Sequence, residues 1–180
     1  MEKTVFFLNM FPDYEPPEHL INVLSQAAIT AADIAPETRC IQMSVSFPAY
    51  VPSRLREQVS SAIEAIYKLR SLILVPSFPP AELVNIESED LLQLFVDENP
   101  ICRGILAGAR WEWEENTLHV HLVANGRSTL ETCFPAVTRK LYEQFGTKVT
   151  VELHSGEELE GEALFANMEK LRNALLREVP

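Results

Sequence analysis

The clearest signal along the chain is a change of hydrophobic period. From Arg39, the apolar residues Ile41, Met43, Val45 and Phe47 alternate with Gln42, Ser44 and Ser46, the pattern of a half-buried strand. After a turn at Pro48 to Pro52, apolar Leu55, Val59, Ile63, Ile66 and Leu69 recur at steps of 4, 4, 3 and 3. That is helical spacing, with Ser53 placed to cap the helix and Arg54, Glu57, Ser61, Glu64 and Lys68 on its solvent face. The run Leu72-Ile73-Leu74-Val75 then reads as a buried strand.

Upstream, Val5 to Leu8 has the composition of a short strand. A helix is expected to start at Pro16-Pro17, since proline is tolerated in a first turn, and to bury Leu20, Val23, Leu24, Ala27 and Ala31 before Pro36 stops it. Downstream of the rigid stretch Pro76 to Pro80, two short helices are expected. Ser88 caps one, with Glu89 and Asp90 in its positive first turn and Leu91, Leu92, Phe95 and Val96 buried. Asn99-Pro100 starts the other, which ends near Gly108.

Arg110 to Glu114 and Thr117 to Leu122 both alternate, around Glu115-Asn116. A two-residue loop there makes residues whose numbers sum to 231 face each other. Trp113 then meets Leu118 and Trp111 meets Val120 on the core face, while Glu112 meets His119 and Arg110 meets His121 on the other. A four-residue loop of the same parity remains open. Ser128-Thr129-Leu130-Glu131 fits a capping box for a helix with the stripe Leu130, Phe134, Val137, Leu141 and Phe145. Pro135 either kinks this helix or marks its start, and Gly146 ends it. Lys148 to Leu153 is a strand, and a last helix is expected over about 157–178, burying Leu164, Met168, Leu171 and Leu175.

Arg39 to Val75 and Leu118 to Leu153 share one pattern, strand, loop, helix, strand, without sequence identity. The expected fold class is therefore α+β: two β-α-β units joined by short helices, which layer on small mixed sheets. The parts are 1–36, an N-terminal extension; 37–80, the first unit; 81–108, a helical connector; 109–155, a hairpin plus an α-β unit; and 156–180, a C-terminal helix.

Composition narrows the function. The 180 residues carry a net charge of −11, with 6 basic and 12 acidic side chains in residues 1–90 and 9 and 14 in residues 91–180. A field of that sign repels nucleic acid, whose binding rests on neutralising phosphates. The longest apolar runs fall well short of the roughly 20 residues a membrane helix needs. Met1-Glu2-Lys3-Thr4 does not open a secretory signal, so a cytoplasmic location is expected. Cys40, Cys102 and Cys133 are odd in number and widely spaced, which reads as reduced, mostly buried thiols.

Chemistry is sparse. His119 and His121 lie two apart on one strand face, a geometry able to bind a metal, but no further His or Cys is close in sequence, and His19 and His154 are isolated. Exposed histidines opposite Glu112 and Arg110 are the simpler reading. Glu157, Glu158, Glu160 and Glu162 suit a helix N-terminus. Trp111 and Trp113 read as core rather than as a base-stacking platform. No phosphate loop, dinucleotide fingerprint or serine elbow is present. No catalytic residue, cofactor-binding residue or metal ligand is therefore expected, and no partner-binding residue is singled out.

The order of elements has a parallel. Ser44-Val45-Ser46-Phe47-Pro48-Ala49-Tyr50-Val51-Pro52, the helix after it and the Leu-Ile-Leu-Val strand resemble the N-terminal region of PolC-type DNA polymerase III α subunits. So do Leu91-Leu92-Gln93-Leu94-Phe95-Val96, Asn116-Thr117-Leu118-His119-Val120-His121-Leu122 and Leu141-Tyr142-Glu143-Gln144-Phe145-Gly146. The likeness covers about Arg39 to Leu153 and rests on element order and short phrases; the first 36 residues do not align. It implies a truncated KH-like fold, similar to the polymerase-binding domain of the clamp-loader tau subunit. It also implies a non-catalytic protein-interaction domain contacting tau or another replisome protein, and a reading frame continuing past Pro180. In that family the DNA polymerase and 3′-5′ exonuclease chemistry lies in later domains, so this chain itself is not expected to be an enzyme and needs no cofactor. A KH-like nucleic-acid-binding module is the alternative, although Asn125-Gly126-Arg127 lacks the second glycine of GXXG.

Overall fold

The computed structural model describes residues 3–155 together with residues 168, 171 and 172. The fold is α+β, and the described residues form two compact units, one made of 3–90 with 141–147, the other of 91–140 with 148–155. Among the described residues no helix is long and apolar enough to cross a membrane.

The first unit is a four-stranded sheet in the order β1-β2-β3-β4: β1 (Val5–Phe6), β2 (Ala28–Ala35), β3 (Cys40–Ser46) and β4 (Ser71–Ser77). β2 and β3 are antiparallel, and β3 and β4 are parallel, joined by the long helix Ser53–Tyr67. Met43, Val45, Leu72 and Leu74 point from the sheet into the same core as Val59 and Ile63 of that helix. Phe7, in a single helical turn α1 (Phe7–Met10), is fully buried, so the Val5 to Leu8 strand is shorter than its composition indicates.

The helix expected from Pro16 to Pro36 is the largest correction. Only Ile21–Ser25 (α2) is helical, and Ala28 to Ala35 is strand β2. Leu20 and Leu24 are buried, Val23 half-buried, and Ala31 exposed. Alanine favours helices, but pairing with β3 from Ala28 to Ala35, interrupted by an irregularity at Thr30, overrides that preference. The hairpin closes at Pro36 to Arg39, where Arg39 is left-handed (φ 57°) and its N–H donates to the Pro36 carbonyl. Residues 31–35 are exposed on both faces, so no period-two pattern marks the strand.

Helix α3 (Ser53–Tyr67) departs from its expected faces in detail. Ser53 is its first residue rather than a cap, and Ile66 is exposed. Glu64 is half-buried, its carboxylate accepting the Leu72 N–H (3.1 Å) at the start of β4. β4 itself is buried on one face only: Leu72, Leu74 and Pro76 point inward, whereas Ile73 is 52% and Val75 41% exposed. It is an edge strand, the position where a proline costs no ladder bond on its free side. A 3₁₀ turn (Pro80–Asn85) and α4 (Ser88–Glu98) follow.

The second unit holds the three-stranded sheet β5 (Arg110–Glu114), β6 (Thr117–His121) and β7 (Thr150–His154), in that order. The β5–β6 register is the one read from the sequence, with a two-residue loop: Trp113 opposite Leu118, Trp111 opposite Val120, Glu112 opposite His119. Glu115 takes the left-handed conformation the loop requires (φ 52°). β6 and β7 are parallel and joined by α6 (Arg127–Phe145). Leu118, Val120, Leu130 and Val137 are fully buried, and Phe95 of α4 lies 6.1 Å from the half-buried ring of Trp111. The short helix α5 (Cys102–Ile105) also contributes to this core.

α6 begins one residue before the expected capping serine. Gly126 (φ 139°) presents its carbonyl to the Leu130 N–H, and Glu131 pairs with Arg127 instead of a backbone donor. Pro135 lies inside the helix, and Thr138 bonds back to the carbonyls of Phe134 and Pro135. Gly146 stops it in the left-handed conformation (φ 64°). The helix expected over 157–178 lies outside the described residues, except that 168, 171 and 172 are helical; Met168 and Leu171 are exposed rather than buried.

Candidate functional site

A sheet with one face on a core turns its alternate residues outward, and the outer face of the second sheet collects the titratable groups. β5 supplies Arg110, Glu112 and Glu114, β6 supplies His119 and His121, and β7 supplies Glu152 and His154. The parallel register sets His119 beside Glu152 and His121 beside His154. His154, isolated in sequence, is thus the third histidine of a cluster. The pattern of β6 alone missed this because the partner strand comes 29 residues later and only its register reveals the pairing.

The contacts are close. His119 Nδ1 lies 2.7 Å from His154 Nε2 and 3.3 Å from a Glu152 oxygen, and His154 Nε2 lies 3.9 Å from that same oxygen. On its far side His119 Nε2 is 3.1 Å from Glu114. His121 Nε2 is 3.1 Å from Glu112, whose carboxylate also faces Arg110 (3.3 Å). The His154 ring meets His119 edge to edge through the two facing nitrogens, with centroids 4.9 Å apart, and its other neighbour, His121, has its centroid 5.0 Å away with the planes 24° apart. The His119 side chain is 16% exposed and that of His154 42%, so the cluster is sheltered on one side and open on the other. A groove of about 510 Å³ between β7 and the first turns of α6 is lined in part by Glu152, His154 and Phe134. His19 is exposed before α2 in the first unit and takes no part in this cluster.

Two further polar constellations were not visible in the sequence. In the first unit, Asp90 accepts hydrogen bonds from Tyr50 Oη, Ser53 Oγ and the Ser53 N–H (3.0 Å for the last), so it caps α3 from 37 residues away. Burial, then the bond to Asp90, drives the Tyr50 phenol upward from its usual range. Burial also lowers the Arg56 guanidinium, which donates to the Val51 carbonyl (3.0 Å) and lies over the Phe78 ring. These groups are consumed in holding one another. In the second unit, Cys102 and Cys133 are buried with their sulfurs 3.8 Å apart, although 31 residues separate them in sequence. All three cysteines are free thiols, and burial beside Cys133 pushes the Cys102 thiol up to about 11, which suppresses the reactive thiolate.

No family model matches this chain, and no curated protein matches it.

Proposed function

We propose that this chain is a non-catalytic interaction module of a bacterial replicative DNA polymerase, the N-terminal region of a PolC-type α subunit. On this reading it docks a replisome protein such as the clamp-loader tau subunit, in the cytoplasm, while the parent's polymerase and exonuclease chemistry resides elsewhere. The observation that carries it is the outer face of the first sheet. Ile73 and Val75 stand exposed there opposite Gln42 and Ser44, with Ser46, Ala31 and Ala35 on the same face, and Asp33, opposite Gln42, is its one charge among the described strand residues. On a chain of net charge −11, a nearly uncharged sheet face with two exposed β-branched residues suits a protein surface better than water or phosphate.

Isothermal titration of the full chain with a purified tau polymerase-binding domain tests this. The expected dissociation constant is about 10 μM or tighter. Replacing both Ile73 and Val75 by Asp is expected to weaken binding at least ~10-fold with the fold intact by circular dichroism. No heat at about 100 μM partner overturns the reading, as does a stop codon directly after Pro180 in the gene. Binding of single-stranded DNA that falls steeply with salt would instead favour the KH-like nucleic-acid alternative.

A further inference from the structure

The outer face of the second sheet carries a group that partner docking does not use. We infer that His119, Glu152 and His154 form a binding site for one divalent transition-metal ion, Zn²⁺ being the best match in size and ligand chemistry.

The first argument is geometric. The three donor atoms form a triangle with edges of 2.7, 3.3 and 3.9 Å. The nearest point equidistant from all three lies in their plane, about 2.0 Å from each, the bond length Zn²⁺ makes to imidazole nitrogen and carboxylate oxygen; a tetrahedral ion with a fourth ligand needs the His154–Glu152 edge to shorten and the His119–His154 edge to lengthen by about 0.6 Å each. The edges also bracket the ligand–ligand separation of about 3.3 Å that a tetrahedral ion with such bonds imposes. The atoms are held there by strand register rather than by flexible loops, since His119 sits on β6 and both other donors on β7.

The second argument concerns protons. A metal ligand must present a lone pair, and the tautomer of a histidine is set by what its other nitrogen bonds. Glu114 accepts at His119 Nε2, 3.1 Å away, which places the His119 proton on that nitrogen and leaves the Nδ1 lone pair free. Without an ion, His154 Nε2–H donates to that lone pair (2.7 Å); an entering cation takes the place of this proton, and His154 keeps its remaining N–H on Nδ1. This is the carboxylate–histidine–metal relay that typically supports metal-bound imidazoles. His121 is outside the donor set: its Nε2 faces Glu112, and its ring stacks on His154, holding that imidazole flat.

The third argument is charge. Glu114 and Glu152 flank the histidines on an acidic chain, a field that gathers cations. Two imidazoles and one carboxylate leave a fourth position for water or a ligand from outside, on the open side of the face. Soft, thiolate-preferring ions are disfavoured because no cysteine joins the donors.

The test uses the full chain without a histidine tag, stripped with chelator and titrated with Zn²⁺ against a chromophoric competitor, then with Co²⁺ under visible spectroscopy. The expected result is one ion per chain with a dissociation constant of about 1 μM or below. Co²⁺ is expected to give the intense ligand-field bands of a four-coordinate ion. His154→Ala and Glu152→Gln should each weaken binding by at least ~100-fold, and Glu114→Gln by about 10–100-fold, as loss of an outer-shell partner does. His121→Ala and His19→Ala should keep one ion per chain. These side chains face solvent, so circular dichroism is expected to show every variant folded. No uptake at about 100 μM free Zn²⁺ overturns the proposal, leaving a plain imidazole–imidazole hydrogen bond. So does an affinity unchanged in His154→Ala. Tau binding by the Ile73, Val75 double variant is read separately, so either proposal can fail without the other.

Discussion

The regions β2-β3-α3-β4 and β5-β6-α6-β7 follow one plan. Each is an antiparallel pair, then a helix, then a strand returning parallel to the second of the pair. Their inner faces are alike in chemistry, Met43, Val45, Leu72 and Leu74 in one and Leu118, Val120, Val151 and Leu153 in the other, all buried. Their outer faces differ: serines, alanines, Gln42, a lone Asp33 and two exposed β-branched residues against three histidines, three glutamates and an arginine. The inner face must fill a core, so its chemistry is constrained; the outer face contributes little to stability and is left to diversify.

The largest effects should test the equivalence of the inner faces. Met43→Ala and Leu118→Ala, both at essentially buried positions, are each expected to cost about 2–5 kcal/mol by urea denaturation. If one costs less than about 1 kcal/mol, the two cores are not comparable. Next come the helix starts, where the plan is executed differently. Asp90 caps α3 by side chain, and Asp90→Ala should cost about 2 kcal/mol by leaving the Ser53 N–H and two hydroxyls without their acceptor. Gly126 starts α6, and a Cβ there would lie 2.6 Å from Ile105, so Gly126→Ala should cost at least as much, read in the same assay. The smallest effects concern the helix ends. α3 stops at Lys68 in the left-handed conformation (φ 56°) and α6 at Gly146 (φ 64°). Thermal melts should show Lys68→Gly stabilising by about 0.5–1 kcal/mol and Gly146→Ala destabilising by about 1 kcal/mol; equal signs would refute a common stop.

Much of this plan is legible in the sequence. The alternation from Ile41 to Phe47, the 4-4-3-3 helix and the hairpin register at Glu115-Asn116 each follow from a buried face, and burial leaves a period in the sequence. β2 reads as a helix because it has little buried face, and an alanine-rich strand exposed on both sides carries no period-two pattern. Half-burial of β4 was hidden because exposed Ile73 and Val75 look like core. The histidine cluster was half visible: His119 and His121 share a strand face, but the placement of His154 depends on a parallel register that no local pattern encodes. Asp90 and the Cys102–Cys133 pair are long-range meetings of the same kind.

The last turn of α6 has a bearing on how the chain is made. Leu141 to Thr147 belong to the first unit, where Phe145 packs 5.1 Å from Phe78 and the Gln144 carbonyl accepts the Phe78 N–H. During synthesis from the N-terminus, the first 90 residues leave the ribosome with that wall of their interior missing. At translation rates of about 5–20 residues per second, several seconds pass before it arrives. A nascent chain stalled before residue 141 should therefore display Phe78 and Tyr50 to chaperones, and a gene fragment cut at 90 should be prone to clump.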